Sequence, residues 1–139
     1  MIDAIIGLKG SGKTSQLVDE INEKAARDDT NIVCIEYGRR FDRNIPYHVR
    51  LIDITEYPVN NYRELLAFIA GISAKDYDIS HIYIDSIYKI AQDDDHDHLS
   101  VFFNDLHAFA EQIQADVTIT ISDEFELLPD NVKEFARKK

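Results

Sequence analysis

Apolar positions along this chain fall into two kinds of run. The first kind is short and compact: Ile2 to Ile6, Asn31 to Tyr37, Val49 to Ile54, His81 to Asp85 and Val117 to Ser122. The first, second and fourth are nearly unbroken and rich in Ile and Val, which suits strands covered on both faces, as in a parallel sheet. "VTITIS" alternates instead, and predicts a strand with one face less buried or near an edge. The second kind recurs at helical spacing. Leu17, Val18, Ile21 and Ala25 mark a helix over Lys13 to Arg27, and Leu65, Leu66, Ile69 and Ile72 another over Asn61 to Ser73. Leu99, Phe102, Phe103, Leu106, Phe109 and Ile113 mark a third over Leu99 to Ala115, capped by Ser100 or by the acidic run before it. A short last helix is expected from Asp130, after Pro129, to Lys138. Aromatic residues at this spacing read as core.

Strands alternating with helices predict an α/β fold, with a mainly parallel five-stranded sheet sandwiched by helices. The 139 residues suit a single domain, and the 45% apolar content supplies a core for it. No run approaches the roughly 18 apolar residues of a membrane span. The N-terminal apolar segment has neither a basic stretch before it nor a cleavage site after it, so no leader and a cytoplasmic location are expected. The lone cysteine, Cys34, sits in "NIVCIEYG" and reads as a buried, reduced thiol.

A net charge of −11 argues against general nucleic-acid binding, which needs a basic face. Arg39, Arg40 and Arg43 form a local basic cluster, and the tail "ARKK" reads as a solvated helix end.

The densest chemical signal is "GLKGSGKT", Gly7 to Thr14, which fits G-x-x-x-x-G-K-[ST] at every fixed position. An apolar strand precedes it and an amphipathic helix follows. Gly7, Gly10 and Gly12 let the loop turn its N–H groups inward around Leu8, Lys9 and Ser11, with the helix N-terminus and Ser15 behind. Such a nest takes phosphate oxygens. Lys13 brings positive charge to the β- and γ-phosphates, and Thr14 offers a hydroxyl to Mg²⁺. The expected ligand is a nucleoside triphosphate.

On these residues the chain resembles the P-loop NTPases. It is most similar to minimal RecA-like ATPase domains, in which an extra strand separates the first strand from the one bearing an aspartate. Lys9 stands third in the loop, whereas the deviant-loop partitioning ATPases carry their extra lysine second. "HIYIDSI" supplies the second motif. The resemblance implies that Asp85, at a strand end, serves Mg²⁺. Many related ATPases follow that aspartate with a catalytic glutamate, but here Ser86 follows.

The resemblance instead makes Glu36, ending "IVCIE", the candidate base. It makes Ser122, with Asp123 a weaker choice, the candidate γ-phosphate sensor. Arg39, Arg40 or Arg43 would be a finger contacting phosphate, and self-association would follow from sites built at subunit interfaces. No N/T-K-x-D string for guanine occurs, which favours ATP. His96 and His98 in "DDDHDH" read as part of a solvated acidic loop, because i, i+2 spacing does not place both on one helix face. His48, His81 and His107 read as ordinary surface or half-buried residues.

The expectation is a Mg²⁺-dependent ATPase whose nucleotide state controls an interaction with a macromolecular partner. A small-molecule or nucleotide kinase, with the arginines clamping a phosphorylated acceptor, is the alternative from another class. A regulatory module that holds nucleotide with little hydrolysis is the third.

Overall fold

The computed structural model describes residues 1–41, 45–76 and 78–137. Five strands, β1 (Ile2–Gly7), β2 (Ile32–Glu36), β3 (Arg50–Asp53), β4 (His81–Ile84) and β5 (Asp116–Ser122), form one sheet in the order β1-β5-β4-β2-β3. Every pairing is parallel. The strand ends therefore gather along one edge. Gly7 stands opposite Ser122 and Glu36 opposite Asp53, while Asp85 follows directly on β4.

Side-chain alternation splits the core between the two faces of the sheet. On one face α1 (Lys13–Ala25) lays Leu17, Ile21 and Ala25 over Ile5, Ile32, Cys34 and Tyr83. On the other, α2 (Tyr62–Lys75), α3 (Ile87–Ala91), α4 (His96–Ile113) and α5 (Asp130–Glu134) cover Val33, Ile35, Ile82, Ile84, Ile119 and Ile121. The aromatic stripe of α4 is core, with Phe102 and Phe103 both at most 2% exposed. None of the described helices is long and apolar enough to cross a membrane. Cys34 is buried and free, and burial among the Glu36 and Asp85 carboxylates pushes its thiol pKa up.

Several sequence expectations are corrected. β5 is neither an edge strand nor half-exposed: it lies between β1 and β4, with every residue from Val117 to Ile121 buried. Its threonines are tolerated there because carboxylates accept their hydroxyls, Asp3 from Thr118 at 2.8 Å and Asp85 from Thr120 at 2.6 Å. The acidic stretch is not a loop running up to Leu99, because α4 already begins at His96. Asp95 caps it, accepting the His98 N–H at 2.9 Å, whereas Ser100 lies inside the helix and donates to Asn131. The two histidines are engaged, His96 with Asp123 at 2.8 Å and His98 with Asp93 at 2.7 Å.

The final helix stops at Glu134, and Arg137 is not a solvated helix end. Backbone bonds between Ala4 and both Phe135 and Arg137 lay the C-terminal segment along the outer edge of β1. Lys138 and Lys139 lie outside the described residues, as do Arg43 and Asp42.

Candidate functional site

The loop between β1 and α1 is shaped by its glycines. Gly10 and Gly12 have φ of 84° and 88°, a left-handed conformation that costs L side chains strain. A Cβ at Gly7 would crowd Ser11, lying 2.5 Å from its Oγ and 3.3 Å from its Cβ. Gly12 caps α1 without any side-chain bond, and the first turn of α1 holds no acid. The amides at this helix end are therefore not taken up by a capping side chain, and they carry the partial positive charge of the helix dipole.

Lys13 lies just inside this turn and is only 9% exposed. Its Nζ folds back onto the loop, donating to the Leu8 carbonyl at 2.9 Å. Burial lowers its pKa from the ordinary lysine value, against the opposing pull of the Asp85 carboxylate. Among the described residues, this half-buried ammonium is held by a carbonyl and by a hydroxyl at 3.5 Å and lacks a close anionic partner.

Across the sheet edge, Asp85 is 2% exposed. The Thr14 hydroxyl approaches its carboxylate at 3.2 and 3.4 Å, from 71 positions away in the chain. The two motifs thus meet through oxygen atoms, the hard donor type that Mg²⁺ prefers. Thr120 completes the arrangement by donating to Asp85 Oδ1 and accepting the Ser86 N–H at 2.7 Å. Ser86 has φ of 69°, the sharp turn that starts α3 directly after Asp85.

No protein-family model matches the chain, and a search of curated proteins finds no match. The chemistry of the site therefore stands on its own residues.

A cavity of about 480 Å³ opens over the loop. Lys9, Lys13, Arg40 and Lys89 supply cations to it, facing the Asp85 carboxylate, and Ser122 stands on its rim at the exposed end of β5. Among the described residues, the side chains of Lys9, Arg40 and Lys89 enter no hydrogen bond or ion pair. In a chain with 26 acidic residues to 15 basic ones, three such cations around one cavity give it a local positive charge that suits an anion.

The remaining expected residues are placed differently. Glu36 is 2% exposed, and its Oε1 accepts the Arg40 N–H at 2.7 Å. It closes the turn that swings Arg40 towards the cavity. Arg39 points away and pairs with Glu56 at 2.8 Å. Asp123 is held off the cavity by Tyr88 at 2.6 Å and His96 at 2.8 Å. Of the basic cluster after β2, Arg40 is the described member that reaches the site, and Arg43 lies outside the described residues.

Thr120 and Lys89 were not singled out by sequence. The alternation of "VTITIS" places Thr118, Thr120 and Ser122 on one side of the strand, a usable signal once the strand is known to be central. Lys89 gave no signal, because α3 is too short to show a period.

Proposed function

We propose that this protein binds a Mg²⁺-nucleoside triphosphate at the loop from Gly7 to Thr14 and hydrolyses it slowly, as a P-loop NTPase of the RecA-like kind. The observation that carries the reading is the meeting of Thr14 with Asp85 beside a buried, under-partnered Lys13. The insertion of β5 between the loop-bearing strand and the Asp85 strand supports the RecA-like assignment over other P-loop arrangements.

Thr14 and Asp85 would hold the metal, which when bound neutralises phosphate charge and orients the terminal group. The amides of the glycine loop would cradle the phosphate chain, and Lys13 would leave the Leu8 carbonyl for a phosphate oxygen. Arg40 and Lys89 would stabilise charge on the departing group from the same chain. Glu36 is the carboxylate best placed to orient water, yet one of its oxygens is committed to Arg40 N–H. That commitment, with Ser86 in the position after Asp85, favours slow turnover and a role in which nucleotide occupancy itself governs a partner.

Calorimetry with ATP, GTP and ADP, with and without Mg²⁺, followed by phosphate-release assays, tests the reading. Magnesium-dependent binding with slow, acceptor-independent phosphate release is expected. Absence of heat with every nucleotide rejects the site, and release that requires an added acceptor rejects hydrolysis in favour of a kinase.

A further inference from the structure

Away from the phosphate loop, a groove of about 450 Å³ lies between the start of α2 and the first half of α4. Its wall is mainly apolar. Leu66 and the exposed Val101 line it together with Tyr62 and Phe102, whose ring centroids are 5.0 Å apart. One end is fixed by Asp93, whose carbonyl accepts the Tyr62 hydroxyl at 2.8 Å and whose carboxylate holds His98 at 2.7 Å. Asp97, Val101 and Asp105 stand at i, i+4 and i+8 of α4, and all three are exposed. They therefore form one stripe of the helix along the groove. An aliphatic side chain, 59% exposed, lies between two carboxylates that are each one turn away. Among the described residues neither carboxylate enters a hydrogen bond or an ion pair.

The charge narrows what can cover this face. Among the described residues, no three acidic, histidine or cysteine side chains converge as a metal ion requires. Carboxylates repel nucleic acid and anionic lipid, and a second copy brings the same stripe and a net charge of −11. The complement is a protein segment with an apolar side chain and a cation one turn to either side, the pattern of a helix laid in a groove. We propose that this groove docks a basic amphipathic helix of a partner protein, with an aliphatic residue against Leu66 and Val101 and cations facing Asp97 and Asp105. Arg63, on the α2 side and likewise unpaired among the described residues, suits an acid on the opposite flank of that helix. The inference does not rest on the nucleotide reading, and its failure leaves that reading standing.

The test is fluorescence anisotropy on the whole chain with labelled, end-capped peptides of about 18 residues built on Ala and Gln, a length that supports a helix. The first peptide carries Lys, Leu and Lys at i, i+4 and i+8. The second replaces Leu with Ser, the third replaces both Lys with Glu, and the fourth scrambles the order of the first. The first should bind about tenfold more tightly than the other three. Val101→Ser should remove most of that preference. The double variant Asp97→Lys, Asp105→Lys should reverse it, taking the Glu peptide and rejecting the Lys peptide, a crossover that an unfolded variant does not give. No binding of the first peptide, equal binding of the scrambled one, or a preference unmoved by the double variant overturns the proposal. Sedimentation of the wild-type chain as a dimer that Val101→Asp dissociates also overturns it, and assigns the groove to a second copy.

Discussion

The Thr120 hydroxyl lies 2.6 Å from Asp85 Oδ1 and also accepts the Ser86 N–H at 2.7 Å. One buried side chain in the centre of the sheet thus holds both a carboxylate and the backbone turn that follows it. Thr120 is 1% exposed, so nothing from solvent replaces it. Thr120→Val keeps the shape of the side chain and removes the hydroxyl, leaving the buried Asp85 carboxylate and the half-buried Ser86 N–H each one partner short. A loss of about 1–3 kcal/mol is expected from urea denaturation, with Thr120→Ser recovering most of it. A denaturation midpoint unchanged by Thr120→Val would refute the bridging role.

The same carboxylate faces Thr14, and the metal prediction follows from that. Asp85→Asn retains a carbonyl oxygen for Thr120 but loses the charge. Nucleotide affinity should then require a higher Mg²⁺ concentration, while affinity measured without metal changes little. A Mg²⁺ titration that superimposes on wild type removes Asp85 from the metal site.

Glu36 gives a sharper separation of roles. Its Oε1 is spent on the Arg40 N–H, a bond that the amide oxygen of Glu36→Gln can reproduce. The turn carrying Arg40 should therefore survive in Glu36→Gln and be lost in Glu36→Ala. If Glu36 orients water, both variants lower phosphate release by about 10²- to 10⁴-fold, but Glu36→Ala alone also weakens nucleotide binding. Equal turnover in Glu36→Gln and wild type leaves Glu36 with the turn as its whole function.

These residues also show what was legible in the sequence. β1, β2 and β4 were legible because a buried parallel strand must be almost wholly apolar, and Ile and Val cluster accordingly. The loop from Gly7 to Thr14 was legible because strain-tolerant glycines, a lysine and a hydroxyl are needed at fixed offsets. The place of β5 was not, since strand order depends on which edges pair and leaves no local mark. Its alternating threonines resembled an edge strand because the partners that satisfy them, Asp3 and Asp85, are 115 and 35 positions away. The role of Glu36 was only half legible, for a strand-end carboxylate looks the same whether it faces a ligand or caps its own turn.

Arg137 is the clearest long-range feature that composition hid. It pairs with Asp3 on β1 and Glu20 on α1, and its backbone N–H bonds Ala4 along the edge of β1. The three side chains are between 21% and 29% exposed, so water screens them only partly. Arg137→Ala leaves two neighbouring carboxylates without their cation and loosens the segment that covers the sheet edge. A loss of about 1–3 kcal/mol is expected, smaller for Arg137→Lys, which keeps the charge but not the fork. Added salt should stabilise the alanine variant more than wild type by screening the two carboxylates. Equal stability of Arg137→Ala and wild type in urea at low salt would show the pairing to be idle.

The half-buried ammonium of Lys13 makes a prediction about protons. Its pKa in the free protein is lowered from 10.5, desolvation outweighing the Asp85 charge. A lysine depressed in this way binds fewer protons folded than unfolded between its folded pKa and 10.5. Its cost to stability is therefore fully present below the folded pKa and fades as pH rises through that value. A phosphate chain reverses the shift, because an adjacent anion favours the charged form. Nucleotide binding at a pH just below 10.5 should take up a proton, seen as a dependence of the calorimetric heat on the buffer's ionisation enthalpy. Affinity should fall as pH rises through the lowered pKa. Lys13→Ala should bind weakly or not at all and leave no such proton signal, with its far-UV circular dichroism unchanged. Full-strength binding by Lys13→Ala, or uptake that persists in that variant, would place the ammonium away from the phosphates.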